Sequence, residues 1–139
     1  MSTQSSSHVR RAVATAEPVD AEPVTIDAAA LESTAPGDLR DLRAALAREG
    51  YVPAGLRVEA EFATDSSIET QREADRLRSL VRAASHLGAG ELVVEADAVA
   101  DPAKVRPALA ALAERADREG VSLTVAGDRA VDPTADAGA

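Results

Sequence analysis

Residues 88–127 read GAGELVVEADAVADPAKVRPALAALAERADREGVSLTVAG and contain the pattern that decides the fold. The apolar run at 91–96 predicts a strand, and the apolar positions after Pro102 recur at helical spacing as far as Gly120. A second apolar run, at 121–126, predicts another strand. A strand, a helix and a strand in this order predict two parallel strands joined by a crossover helix.

The same alternation extends toward the N-terminus. The remaining elements are expected as strands at 23–26 and 56–63, and as helices from Pro36 to Gly50 and over 67–87. Ser66 and Glu69 have the spacing of a capping box at the start of the longest helix. Pro107 leaves two alternatives, because the last helix either begins near this proline or is kinked there. The order β-α-β-α-β-α-β predicts an α/β domain.

The expected strands alternate between apolar and polar residues. Leu56 and Val58 share one face of their strand, whereas Arg57 and Glu59 share the other. Parallel strands that are covered on both faces have continuous apolar runs instead. Right-handed crossovers place successive helices on one side when the strand order runs in one direction. The sequence therefore predicts a small two-layer domain, with a mostly parallel, singly wound sheet and helices on one face.

Length and terminal composition indicate the domain limits. We expect one domain over residues 8–128, with disordered segments at 1–7 and 129–139, where small and polar residues dominate. No window of 18 apolar residues is present to cross a membrane, and the N-terminal segment lacks the apolar run of a signal peptide. A cytoplasmic location is the expectation.

The charge balance limits the classes of partner. Twenty-four acidic residues against 15 basic ones give a formal net charge of −9. Nucleic acids and anionic membranes both require a basic surface, so neither is expected as a partner. A single lysine, Lys104, stands beside 14 arginines. Acid excess with little lysine suits a halophilic archaeon with a saline cytosol, and an ordinary acidic bacterial protein is the alternative.

Several kinds of catalytic site are excluded by composition. The chain has no cysteine, so disulfides, thiolate catalysis and cysteine-bound zinc are excluded. It contains no glycine-rich phosphate loop and no G-x-S-x-G elbow, and its two histidines, His8 and His86, are far apart in sequence. No cofactor is evident. These absences favour a non-catalytic module over an enzyme.

Acidic residues follow the expected strands at their carboxyl ends, where parallel sheets bind ligands. Asp65, Glu95 and Asp97 are the candidate metal ligands, because Mg²⁺ prefers carboxylate oxygens. The alternative is helix capping, a role that Asp and Ser commonly fill. The candidate capping residues are Asp27, Asp65, Ser66 and Asp101.

The polar sheet face is the second candidate site. Its predicted interaction residues are Arg57, Glu59, Glu61, Glu91, Val93 and Glu95. Two carboxylates in close contact would raise one pKa and supply a general acid. The alternative is a solvated face with cross-strand pairs, such as Arg57 with Glu91 or Glu95.

The block from Ala84 to Gly127 resembles a β/α unit of the sugar-phosphate isomerase-like TIM barrels. In those enzymes acids at strand ends bind a metal, and here only Glu95 or Asp97 would sit near such an end. Four strands cannot close an eight-stranded barrel, so the activity is not carried over. In composition and layout the whole chain is similar to small acidic α/β proteins of haloarchaea, which implies a compartment and a salt regime.

These observations predict a cytosolic interaction or regulatory module. Its partner would be another protein or a second copy of the chain, as a homodimer, bound at the polar sheet face. The alternative is a small metal- or ligand-dependent enzyme that uses the acids at the carboxyl ends of the strands, with Mg²⁺ as its metal.

Overall fold

The computed structural model describes residues 21–127, so the segments expected to be disordered and both ends of the expected domain lie outside the described residues. Four strands alternate with three helices. The elements are β1 (Glu22–Asp27), α1 (Pro36–Arg48), β2 (Tyr51–Glu59), α2 (Ser67–Leu87), β3 (Glu91–Ala96), α3 (Pro102–Arg118) and β4 (Ser122–Gly127), with a 3-10 turn at Ala28–Ala30.

The strands form one parallel sheet in the order β1-β2-β3-β4. Each helix connects two neighbouring strands, and right-handed crossovers then place all three helices on the same side. The structure confirms the predicted α/β fold with a singly wound sheet. Within residues 21–127, no helix is both long and apolar enough to cross a membrane.

The core lies between the sheet and the helices. Leu56 from β2 and Leu92 and Val94 from β3 are fully buried on the covered face of the sheet. Leu77 from α2 and Leu109 from α3 are fully buried as well and belong to the same core cluster. Alanines of α2 and α3 are buried beside these larger side chains, and the core covers the helix side of the sheet.

The predicted limits of the second strand are wrong at both ends. The strand was expected at 56–63, whereas β2 begins at Tyr51 and ends at Glu59. Its first residues pair with β1 despite Pro53 and Gly55, two residue types that disfavour strands in a sequence pattern. Phe62 lies beyond the strand and remains buried through a single bridge to Val99.

The last helix is continuous through Pro107. It begins at Pro102, after Asp101 has accepted a hydrogen bond from the Ala103 N–H. Proline removes one backbone donor, and its ring lies on an exposed side of the helix. The alternative in which the helix starts near Pro107 is therefore wrong.

Candidate functional site: the open sheet face

The side of the sheet opposite the helices has no covering element within residues 21–127. We call this surface the open face. Strand alternation and register place these residues on it: Thr25, Asp27, Gly55, Arg57, Glu59, Glu91, Val93, Glu95, Ser122 and Thr124. A row of directly opposed residues crosses all four strands at Asp27, Arg57, Val93 and Thr124.

Arg57 is the centre of the open face. Its Nε donates to Glu95 Oε1 at 2.5 Å, and its Nη1 donates to Asp27 Oδ2 at 3.1 Å. Its Nη2 donates to Glu59 Oε1 at 3.5 Å. The hydrogen bond that Arg57 donates to Glu95, with the charges of Glu95 and Asp27, raises the pKa of Arg57 above its usual value, although burial opposes this shift. One permanent cation thus connects carboxylates from three strands.

The fourth carboxylate of the face, Glu91, bonds within the sheet. Its Oε2 accepts a hydrogen bond from Thr124 Oγ1 at 2.6 Å. Of the two predicted cross-strand pairs, Arg57 with Glu95 is therefore confirmed and Arg57 with Glu91 is wrong. Four carboxylates and one guanidinium leave the open face with a net formal charge of −3.

Glu61 was predicted on this face but lies beyond the end of β2, toward α2. Its backbone N–H donates to Glu73 Oε2 at 2.6 Å. Its side chain lines a cavity of about 470 Å³ beside the ends of β1 and β2. The expectation failed because the extended pattern was continued past Glu59, where the strand ends.

Glu73 is a buried carboxylate that the sequence analysis did not identify. It is 8% exposed, yet it accepts from Arg76 Nε at 2.8 Å and from Arg76 Nη2 at 2.6 Å. Burial alone would raise the pKa of Glu73. The hydrogen bonds from Arg76 and from the Glu61 N–H outweigh burial and lower this pKa below its usual value.

The Glu73–Arg76 pair ties α2 to the end of β2. Arg76 Nη2 also donates to the Glu59 carbonyl oxygen at 2.8 Å. Residues at i and i+3 of a helix commonly form surface ion pairs. Only the tertiary approach of the strand end makes the pair a structural connection.

The three candidate metal ligands take separate roles. Glu95 is bonded to Arg57. The Asp65 carbonyl oxygen accepts a hydrogen bond from Lys104 Nζ. Asp97 lies against the end of β4, where a Cβ on Gly127 would be 2.6 Å from its Oδ1. Among residues 21–127, no three His, Cys, Asp or Glu side chains are grouped so that they could hold a metal ion.

Most of the proposed caps are present. Asp27 accepts from the Ala29 N–H and Ser66 from the Glu69 N–H, as Asp101 does at the start of α3. Capping therefore accounts for these residue types at the strand ends. The side chain of Asp65 does not cap the helix that begins at Ser67, because Ser66 accepts the hydrogen bond at that helix start.

A cavity lies beside the ends of β1 and β2, at the carboxyl edge of the sheet. Its volume is about 470 Å³. Asp27 and Glu59 line it from the strands, and Arg76 and Ser79 line it from α2. It adjoins the open face through Asp27 and Glu59, which belong to both.

Two solved structures are similar to this chain in fold. The crystal structure of a xylose isomerase domain protein from Planctomyces limnophilus has a TM-score of 0.60 and 12% identity over 81% of this chain and 46% of its own. A xylose isomerase-like TIM barrel/4-hydroxyphenylpyruvate dioxygenase fusion protein has a TM-score of 0.54 and 18% identity over 81% of this chain and 18% of its own.

This likeness concerns the fold alone. The chain spans less than half of the first structure and less than a fifth of the second. The described part of the chain shares with a TIM barrel the alternation of parallel strands and helices, with four strands where a barrel has eight. The predicted resemblance to the β/α units of isomerase-like barrels agrees with these neighbours.

Comparison with other sequences gives the family but not an activity. No curated protein matches this chain. The family model described as "Domain of unknown function (DUF8564)" matches residues 20–125, which include every strand and helix described above except the last two residues of β4. The chain belongs to this family.

Proposed function

We propose that the domain is a non-catalytic interaction module whose open face binds an arginine- or lysine-rich segment of a partner protein. The observation that carries this proposal is the charge of the face. Arg57 cannot neutralise the carboxylates of Asp27, Glu59, Glu91 and Glu95, and no helix of residues 21–127 covers them. Complementary charge is what steers such a partner and fixes its register.

The arrangement of the carboxylates supports binding rather than acid–base chemistry. Glu95 and Asp27 are held by the guanidinium of Arg57, and Glu91 is held by the Thr124 hydroxyl. A general acid of the kind expected from two adjacent carboxylates would need them to contact each other. Here a cation or a hydroxyl occupies that position. Val93 lies between the charged residues and offers apolar contact to the stem of a bound side chain.

The test is a calorimetric titration of the full chain with an arginine-rich peptide. The face variant combines Glu59→Gln with Glu91→Gln, and the control variant combines Glu32→Gln with Asp41→Asn, which removes the same charge from exposed positions elsewhere. Loss of about two favourable ion pairs predicts roughly tenfold weaker binding for the face variant.

The control variant should bind as the unmodified chain does. Equal loss in both variants would mean that only the net charge attracts the peptide, and absence of binding would contradict the proposal directly. A shape-matched acidic peptide provides a second control, because like charges should abolish binding.

A second candidate function is ligand binding or catalysis at the carboxyl edge, and the cavity at Asp27, Glu61 and Arg76 favours it. We propose a thermal-shift screen with Mg²⁺ and with sugar phosphates to test it. A ligand that binds only the native state raises the Tm. A rise that disappears in Glu61→Gln would support this second function, whereas no rise with any ligand would count against it.

We also propose that the domain works in a saline cytoplasm. The support is the acid excess together with a single lysine beside 14 arginines. Molar salt shortens the screening length to about 3 Å and weakens repulsion among the acids. The Tm should therefore rise from dilute buffer to molar KCl. A maximum in dilute buffer would contradict this setting.

A further inference from the structure

The two edges of the sheet differ in composition. The β1 edge contains Glu22, Pro23 and Asp27. Charges and proline on an edge strand prevent a further strand from pairing with it. In contrast, β4 reads SLTVAG and contains neither a charge nor a proline. Only the β1 edge therefore has the features that protect a strand from pairing.

Within residues 21–127 no strand pairs with the outer side of β4, so its backbone presents free hydrogen-bonding groups along this edge. The Ser122 N–H donates to the Gly90 carbonyl oxygen of the neighbouring chain segment. In a parallel ladder alternate residues bond to the same neighbour, so Ser122 and Thr124 bond to β3. Leu123 and Val125 then direct their N–H and C=O groups away from the sheet.

The edge of β1 offers fewer outward backbone N–H groups than the edge of β4. The Glu22 N–H donates to the Gly50 carbonyl oxygen, which places Glu22 toward β2. Pro23 is then the first residue that faces outward, and it has no N–H to offer. Thr25 and Asp27 face outward after it, and Asp27 brings a negative charge.

We propose that β4 pairs antiparallel with β4 of a second copy of this chain, giving a continuous eight-stranded sheet. A strand edge is self-complementary in this arrangement, because a two-fold axis exchanges the outward N–H and C=O groups of the two copies. In a chain with a net charge of −9, an uncharged strand is also where a second copy meets the least repulsion.

The assembly has a consequence for the open face. In an antiparallel pair related by a two-fold axis perpendicular to the sheet, both open faces point to the same side. The two Arg57 centres then belong to one surface. The two copies pair through the edge of the sheet and not through the open face. A test of the dimer is therefore independent of a test of the cationic partner proposed above.

The test is amide hydrogen exchange of the full chain at low and high protein concentration, with analytical ultracentrifugation of the same samples. The amides of Leu123 and Val125 should exchange fast in the monomer and become protected as a dimer forms. The amide of Thr25, on the β1 edge, should remain fast at both concentrations. A monomer at every concentration, or protection at Thr25 without protection at Leu123, would overturn the proposal.

A matched pair of variants tests the edge directly. Val125→Pro removes an outward N–H from β4, and Thr25→Pro removes one from β1, at positions where edge strands accept proline. The first should abolish the dimer and the second should preserve it. If Val125→Pro unfolds the chain, amide hydrogen exchange of the unmodified protein still shows whether β4 becomes protected in a dimer. A dimer that survives in folded Val125→Pro would overturn the proposal.

Discussion

Neighbouring residues of β3 show how differently the two faces of the sheet are used. Leu92 and Val94 are fully buried against the helices. Glu91, Val93 and Glu95 alternate with them and remain partly exposed on the open face. One strand of six residues therefore contributes apolar burial to one side and charge to the other. We therefore expect the covered face to determine stability, and the open face is the surface that we propose for recognition.

The covered face should show the largest effect on stability. Leu92→Ala removes a fully buried side chain from a central strand and should destabilise the fold by about 2–5 kcal/mol. Val93→Ala, one residue away on the open face, should cost less than about 1 kcal/mol. Urea unfolding of both variants measures the difference. Equal losses would remove the distinction between the faces.

The Glu73–Arg76 connection should rank next. Glu73→Gln keeps the shape of the side chain but removes the charge that accepts three hydrogen bonds, at a cost of about 1–3 kcal/mol. Glu32→Gln, which removes the same charge at an exposed position, is the control and should change the free energy of unfolding by less than about 0.5 kcal/mol. An unchanged free energy of unfolding in Glu73→Gln would show that this connection does not stabilise the fold.

The same carboxylate should make stability depend on acid. The pKa of Glu73 is lower in the folded chain than in the unfolded chain. Its contribution is therefore complete above the unfolded pKa of about 4.3 and is lost as the pH falls through the lower folded value. Unfolding across this range should be less steeply pH-dependent in Glu73→Gln. The same dependence on acidic pH in both proteins would contradict the lowered pKa of Glu73.

Arg57 should affect binding more than stability. Arg57→Gln leaves the covered face intact, so the Tm should change little. It also removes the guanidinium that offsets the four carboxylates of the open face, so an arginine-rich peptide should bind several-fold more tightly. Calorimetry with the same peptide measures this effect. Weaker binding in Arg57→Gln would mean that the guanidinium itself contacts the partner.

Much of the fold followed from sequence because it depends on local patterns. The long helix Ser67–Leu87 and the strand Glu91–Ala96 occupy the predicted residues, since both have strong periodicity and clear ends. The start of β2 did not follow, because pairing with β1 outweighs the poor strand propensity of Pro53 and Gly55.

The site was predictable only in part, for a different reason. Alternation placed Arg57 and Glu95 on one face, and their pairing could be expected. The contribution of Asp27 depends on the register of β1 against β2, and the burial of Glu73 depends on the approach of α2 to the strand end. Neither relation is encoded in the spacing of residues along the chain.

We propose that the open face, and not the rest of the acidic surface, binds a cationic protein segment. The most direct measurement is a map of amide chemical shifts in the full chain as an arginine-rich peptide is added. We expect shifts that concentrate at Arg57, Val93 and Thr124 and spare the outer surfaces of the helices. Shifts spread over all acidic regions, or confined to the helices, would contradict it.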